Sequence, residues 1–204
     1  MKKRSIILGS TIILAVLLVA GTMAWFTAEA EVTNTFTAGT VKIDVNESGQ
    51  VTSAEPFKNL NPGDTVEKKV TVKSTGSKAT YVRAKLTPKW EGSLSNEYKA
   101  CKHWLWPICR CKVLPIASYD IGGDWIKGKG GWYYYSGVMN ENDETSALIE
   151  EVKFSGPGMT NKYQGKTFEL GIEVEAVQAS NNAYKDVWGL NALPTGVEAW
   201  SAPQ

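Results

Sequence analysis

The three cysteines and the only histidine of the chain lie close together, as Cys101, His103, Cys109 and Cys111. Three thiolates and one imidazole are a sufficient donor set for a tetrahedral zinc ion. The spacing Cys-x-His-x5-Cys-x-Cys matches no familiar zinc finger, so the same residues also read as a disulfide partnership or as free thiols. A bond from Cys101 to Cys109 or to Cys111 is open. Cys109 to Cys111 is disfavoured, because side chains two apart on an extended chain sit roughly 6.5–7 Å from each other. No other catalytic constellation stands out. A lone His103 excludes the two-histidine helical zinc motif, and no Gly-x-Ser-x-Gly elbow supports a Ser-His-Asp triad. Gly128-Lys129-Gly130-Gly131 lacks the spacing of a phosphate-binding glycine loop. The expectation is therefore no catalytic residue and no cofactor.

The elements that would position these residues begin after an export-type leader. Lys2, Lys3 and Arg4 precede an apolar run from Ile6 towards Ala24, ending in Gly21-Thr22-Met23-Ala24. A cationic start, an apolar stretch and a small-residue exit describe a secretory signal peptide over residues 1–24, with cleavage expected between Ala24 and Trp25. The alternative is a retained anchor of just sufficient length. The membrane is expected to be met only through this leader, and an exported chain meets conditions in which cysteines pair. The chain has 22 basic and 21 acidic residues. Without the leader's three cations it turns slightly acidic, which leaves no electrostatic footprint for nucleic acid.

Beyond the leader, alternation with a period of two dominates. Thr40–Val45, Val66–Val72, Tyr81–Leu86, Trp132–Val138 and the stretch from Leu148 to Phe154 read as strands. In Thr167–Val177, Phe168, Leu170, Ile172, Val174 and Ala176 share one face, while Glu169, Glu173 and Glu175 point to water. Lys68 interrupts the pattern of its segment, and Tyr81, Arg83 and Lys85 fall opposite Val82, Ala84 and Leu86. Turn signals separate these runs, among them Asn61-Pro62-Gly63-Asp64 and Gly156-Pro157-Gly158. Six or more half-buried strands without a long helical period predict an all-β chain, an antiparallel β-sandwich with long loops. Short helices are expected only at Ser95–Lys99 and Ala183–Leu190. Residues 37–204 are expected to form the sandwich, with a divergent insertion at about residues 91–124 whose centre is the apolar knot Trp104-Leu105-Trp106-Pro107-Ile108. The aromatic run Trp132-Tyr133-Tyr134-Tyr135 is either half core or an exposed surface for sugars or proteins.

Ala24-Trp25-Phe26-Thr27 followed by Asn34-Thr35-Phe36-Thr37-Ala38-Gly39-Thr40-Val41 resembles the TasA/camelysin family of exported proteins. Asn59-Leu60-Asn61-Pro62-Gly63-Asp64-Thr65, Asn161-Lys162-Tyr163-Gln164-Gly165, Glu175-Ala176-Val177-Gln178-Ala179 and Trp188-Gly189 agree with it. The resemblance implies a jelly-roll-like sandwich from a Gram-positive-type bacterium, released by a SipW-type signal peptidase. It implies a subunit that polymerises with itself into cell-surface or biofilm-matrix fibres by donating an N-terminal strand to a neighbour. Residues 25–36 would be that segment, with Phe26, Ala28, Ala30 and Val32 on the face that docks. Camelysin-type relatives offer a second reading, a surface metallo-endopeptidase, which the single histidine disfavours. A third is an adhesion module using exposed aromatics. The segment Ser95–Ser118 departs from the family pattern.

Overall fold

Two antiparallel sheets pack face to face, and a separate two-stranded hairpin extends from them. The computed structural model describes residues 27–30, 41–50, 57–105 and 108–201; the expected leader, residues 1–24, lies outside these. The strands are β1 (Thr27–Ala30), β2 (Ile43–Gly49), β3 (Thr65–Ser74), β4 (Thr80–Trp90), β5 (Glu97–Leu105), β6 (Ile108–Pro115), β7 (Ala117–Ile121), β8 (Trp125–Lys127), β9 (Trp132–Tyr135), β10 (Ile149–Phe154) and β11 (Phe168–Gln178). One sheet runs β1-β11-β4-β9-β8, the other β2-β3-β10-β7, and β5 pairs with β6 alone. The expected all-β sandwich is the observed architecture, with one short α-helix, α1 (Ala183–Trp188), among the described residues.

The period-two pattern of β11 explains why the sheets stack. Phe168, Ile172, Val174 and Ala176 are buried between them, together with Val70 and Val72 of β3 and Val82 and Ala84 of β4. A second cluster closes one end of the sandwich, where Trp90, Phe154, Tyr163 and Phe168 meet mostly edge-on, with Trp90 4.9 Å from both Tyr163 and Phe168. Such contacts add to the area term that already favours burying large rings. The turn before β3 follows from its residues. Pro62 presets the second position, Gly63 takes φ +93°, and Asp64 both donates its N–H to Asn61 O and accepts from Asn61 N at 2.7 Å.

Several expectations need correction. Ser95–Lys99 is not helical. A 3-10 turn at Glu91–Ser93 precedes it, and β5 starts at Glu97. The insertion is not a loop either, because most of it is the hairpin β5–β6. Its alternation was hidden by a mixture of Lys, Cys and apolar residues. Lys68, which interrupts the apolar pattern of its segment, is only 1% exposed on the face of Val70 and Val72, with its Nζ 3.3 Å from Glu47 Oε1. The second face of β4 is also not a water face. Tyr81 and Arg83 are buried there, with Val177 of β11, under α1 and the chain that follows it.

Tyr119 shows what an unsatisfied group costs. Its hydroxyl is buried without a hydrogen-bond partner among the described residues, and burial pushes its phenol well above the ordinary tyrosine value. Burial raises Tyr81 and Tyr163 in the same direction. The folded state therefore holds these phenols neutral after the unfolded chain would ionise them, at about pH 10. Their contribution is intact below that value and is lost as the pH rises through and beyond it. Tyr119→Phe removes the unpaired hydroxyl and keeps the ring. It is expected to gain about 1 kcal/mol at neutral pH and to blunt the alkaline loss. Urea unfolding at pH 7 and pH 11 measures both, and a loss of stability at pH 7 would contradict the assignment.

Candidate assembly edge

Among the described residues, β11 is paired along its whole length on one side only. Its partner there is β4, in unbroken register from Phe168 opposite Trp90 to Gln178 opposite Thr80. On the other side β1 covers just four positions, Thr27 opposite Val177, Ala28 opposite Ala176, Glu29 opposite Glu175 and Ala30 opposite Val174. At the far end a single bridge joins Phe57 to Phe168 through both backbone bonds, 3.0 and 3.1 Å. Because backbone groups alternate along a strand, those of Leu170 and Ile172 fall on the same side as Phe168's. No described residue bridges Glu169–Glu173 there. A strand edge with unmet N–H and C=O groups is a template for another chain.

The part of β11 that β1 covers is also the part held most firmly from outside. Glu175 stands opposite Arg83, which stands opposite Tyr134, so one row crosses three strands. Arg83 Nε donates to Glu175 Oε2 at 2.7 Å, and Nη2 approaches the same oxygen at 2.6 Å. The guanidinium lies 4.0 Å from the Trp132 ring and 4.6 Å from that of Trp188. Both charged side chains keep little exposure, 11% and 14%. Glu175 is thus a paired, largely desolvated carboxylate instead of one of three in water, whereas Glu169 and Glu173 are exposed as expected. The reason is tertiary. α1 and the tail, with Trp188, Leu193 and Trp200, cover this end of the outer face, and Trp200 N donates to Tyr81 OH at 2.7 Å.

The aromatic run of β9 is absorbed by the same packing. Tyr134 is buried in the outer layer near Trp188, with Trp132 against it, and Tyr133 and Tyr135 pack on the inner core. Tyr134 is thus a core residue, and Trp132, Tyr133 and Tyr135 are half-buried.

Of the segment expected to dock, Ala28 and Ala30 lie in β1, opposite Ala176 and Val174. Phe26, Val32, Ala24 and Trp25 fall outside the described residues. In the hairpin, Cys101 and Cys111 stand directly opposite one another and are joined by a disulfide, while His103 takes the register position opposite Cys109. A catalytic zinc needs three protein ligands and an open position. The chain has one histidine, two of its three cysteines are spent on each other, and no three potential ligands gather among the described residues. These residues do not fit a catalytic metal centre. Sequence reasoning missed the Arg83–Glu175 pair and the Phe57 bridge. Arg83 opposite three apolar neighbours looked like an ordinary solvent face, and nothing local to Phe57 marks it as a strand partner.

No curated protein and no solved structure matches the chain. Among the described residues no helix is long and apolar enough to cross a membrane. Residues 1–87 match the family described as camelysin metallo-endopeptidase, whose members are exported or surface proteins. That stretch, which is less than half of the chain, holds the expected leader, the Phe-Thr-Ala-Gly-Thr segment, the Pro-Gly-Asp turn and most of β4, and over it the chain is similar to the camelysin family.

Proposed function

We propose that the chain is secreted and that, once a SipW-type peptidase cleaves near Ala24–Trp25, it is a structural subunit of cell-surface or biofilm-matrix fibres. The link is donation of the segment containing β1 to the sheet edge of a neighbouring copy. The observation that carries this reading is the position of β1. It follows the expected leader, and among the described residues it pairs through four positions on an edge of β11 whose neighbouring stretch Glu169–Glu173 has no other described partner. Exchanging an intramolecular strand for the same strand of another copy preserves its backbone bonds, so the two arrangements differ little in enthalpy. A contact made in this head-to-tail way does not close and therefore grows. The leader acts as a lock, since a strand still tied to the membrane cannot be delivered to a neighbour.

Removal of Trp25–Val32 from the processed protein is the test. Filaments seen by electron microscopy for the chain starting at Trp25 are expected to vanish, while circular dichroism and sedimentation report a folded monomer. An unchanged filament yield rejects strand donation. The family's peptidase description supplies the competing reading, which predicts casein cleavage by the processed protein that EDTA abolishes.

A further inference from the structure

The hairpin β5–β6 is not part of either sandwich sheet, and its composition is unlike the rest of the chain. Between Glu97 and Pro115 it carries Lys99, Lys102, Arg110 and Lys112 against a single carboxylate, in a chain whose formal charge is only +1. All four cations are exposed, and none makes an ion pair among the described residues. Lys102 stands directly opposite Arg110, and Lys112 lies two positions along on the same face. Like charges placed opposite each other weaken a hairpin, and a lone two-stranded sheet is marginal to begin with. The Cys101–Cys111 disulfide on the other face holds this arrangement together.

The base of the hairpin is fixed to the sandwich. Asn96 Oδ1 accepts from Trp90 Nε1 and from Ala117 N, and Asn96 Nδ2 donates to Ala117 O. Ser155 Oγ and Tyr98 OH are 3.0 Å apart, and the Tyr98 ring lies so close to Gly158 that a Cβ there would meet it at 2.6 Å. Ile116 is fully buried beneath. An anchored base with a stapled, cationic shaft suits an arm that meets something outside the molecule.

Apolar groups accompany the charges. Val113 and Leu114, 57% and 37% exposed, are the exposed large hydrophobics among the described residues; Leu114 shares the face of Lys102, Arg110 and Lys112, and Val113 stands opposite Lys99 on the disulfide face. From the end of β5 to the start of β6 the sequence reads Trp104-Leu105-Trp106-Pro107-Ile108. A soluble polyanion would reward the cations alone. A bilayer rewards both, since lipid phosphates attract Lys and Arg while Trp and aliphatic groups enter the interface.

We propose that the stapled β5–β6 hairpin docks the protein on the surface of an anionic phospholipid bilayer, with Lys102, Arg110 and Lys112 facing the lipid phosphates. Export of the chain is assumed here, but fibre formation is not. The test is flotation of the processed chain, beginning at Trp25, with phosphatidylcholine vesicles and with vesicles one-quarter phosphatidylglycerol. Binding is expected only to the second and is expected to be reversed by 0.5 M salt. The variant Lys102→Glu/Arg110→Glu/Lys112→Glu alters exposed positions and should keep the parent's thermal unfolding. It is expected to bind at least about 100-fold more weakly, from roughly 1 kcal/mol per basic residue at such a surface. Trp104→Ala/Trp106→Ala is expected to bind less tightly while still requiring anionic lipid. Equal binding to both vesicle types, undiminished binding of the triple variant, or capture by polyphosphate without any by vesicles would overturn the proposal. Fibre formation by the triple variant, read separately by microscopy, keeps this result distinct from the strand-donation reading.

Discussion

A chain carrying Ala28→Cys and Ala176→Cys in a Cys109→Ser background is expected to stay monomeric after oxidation and to polymerise when reduced. The two alanines are register partners across β1 and β11, so a disulfide there ties the N-terminal strand to its own sheet. Ala176 is 1% exposed, and a thiol adds little volume at that position. Opposed positions on adjacent antiparallel strands lie within the span a disulfide tolerates. If fibres form by donating this strand, the locked subunit has neither a strand to give nor an edge to offer, and the effect on filament mass is all or none. The Cys109→Ser parent is the control, because reductant also opens Cys101–Cys111. It should form filaments with and without reductant. Filaments from the oxidised double variant, once mass spectrometry confirms the bond, would reject the exchange of β1. Light scattering and electron microscopy on the same samples read the outcome.

The second large effect is expected at Arg83. Arg83→Ala leaves Glu175 with its charge inside a largely dry site and removes a cation held over two tryptophan rings. Breaking such a pair on one side costs about 3–5 kcal/mol. For a domain of this size that lowers the melting temperature by about 10 °C. Replacing both partners, as Arg83→Met/Glu175→Leu, is expected to recover most of the loss, because no unpaired charge then remains. Urea unfolding of both variants distinguishes the two cases. A single variant within 0.5 kcal/mol of the parent would mean that water reaches the pair freely. Since Glu175 is also the register partner of Glu29, the single variant should loosen the β11 edge in addition to weakening the whole. Filament yield at a temperature where the variant is still folded measures that part.

The Tyr119 and Arg83 predictions share one physical lesson. Tyr119 buries a hydroxyl that nothing satisfies and should gain from losing it, whereas Arg83 and Glu175 bury charges that satisfy each other and should suffer when separated. The sign of each effect depends on the partner rather than on burial alone.

What the order of residues determined by itself is the alternation. In β11 the apolar residues recur every second position, and a strand with one apolar face must bury it against another sheet, whatever the rest of the chain does. The turn at Pro62-Gly63, the helix at α1 and the all-β architecture were legible for the same reason: each rests on residues within a few positions of one another. The motifs of residues 1–87 carried the similarity to the camelysin family in the same local way. The pairing of Cys101 with Cys111 was not legible, because three cysteines leave the choice open until the hairpin register sets two of them opposite. Nor was the fate of Arg83 and Glu175. Whether that face meets water depends on α1 and Trp188, about a hundred residues after Arg83. The bridge from Phe57 to Phe168 spans a similar distance and likewise has no local signal. Alternation states that a strand has two faces, but only the assembled sheets and the elements laid over them decide which face is dry and which edge is left open.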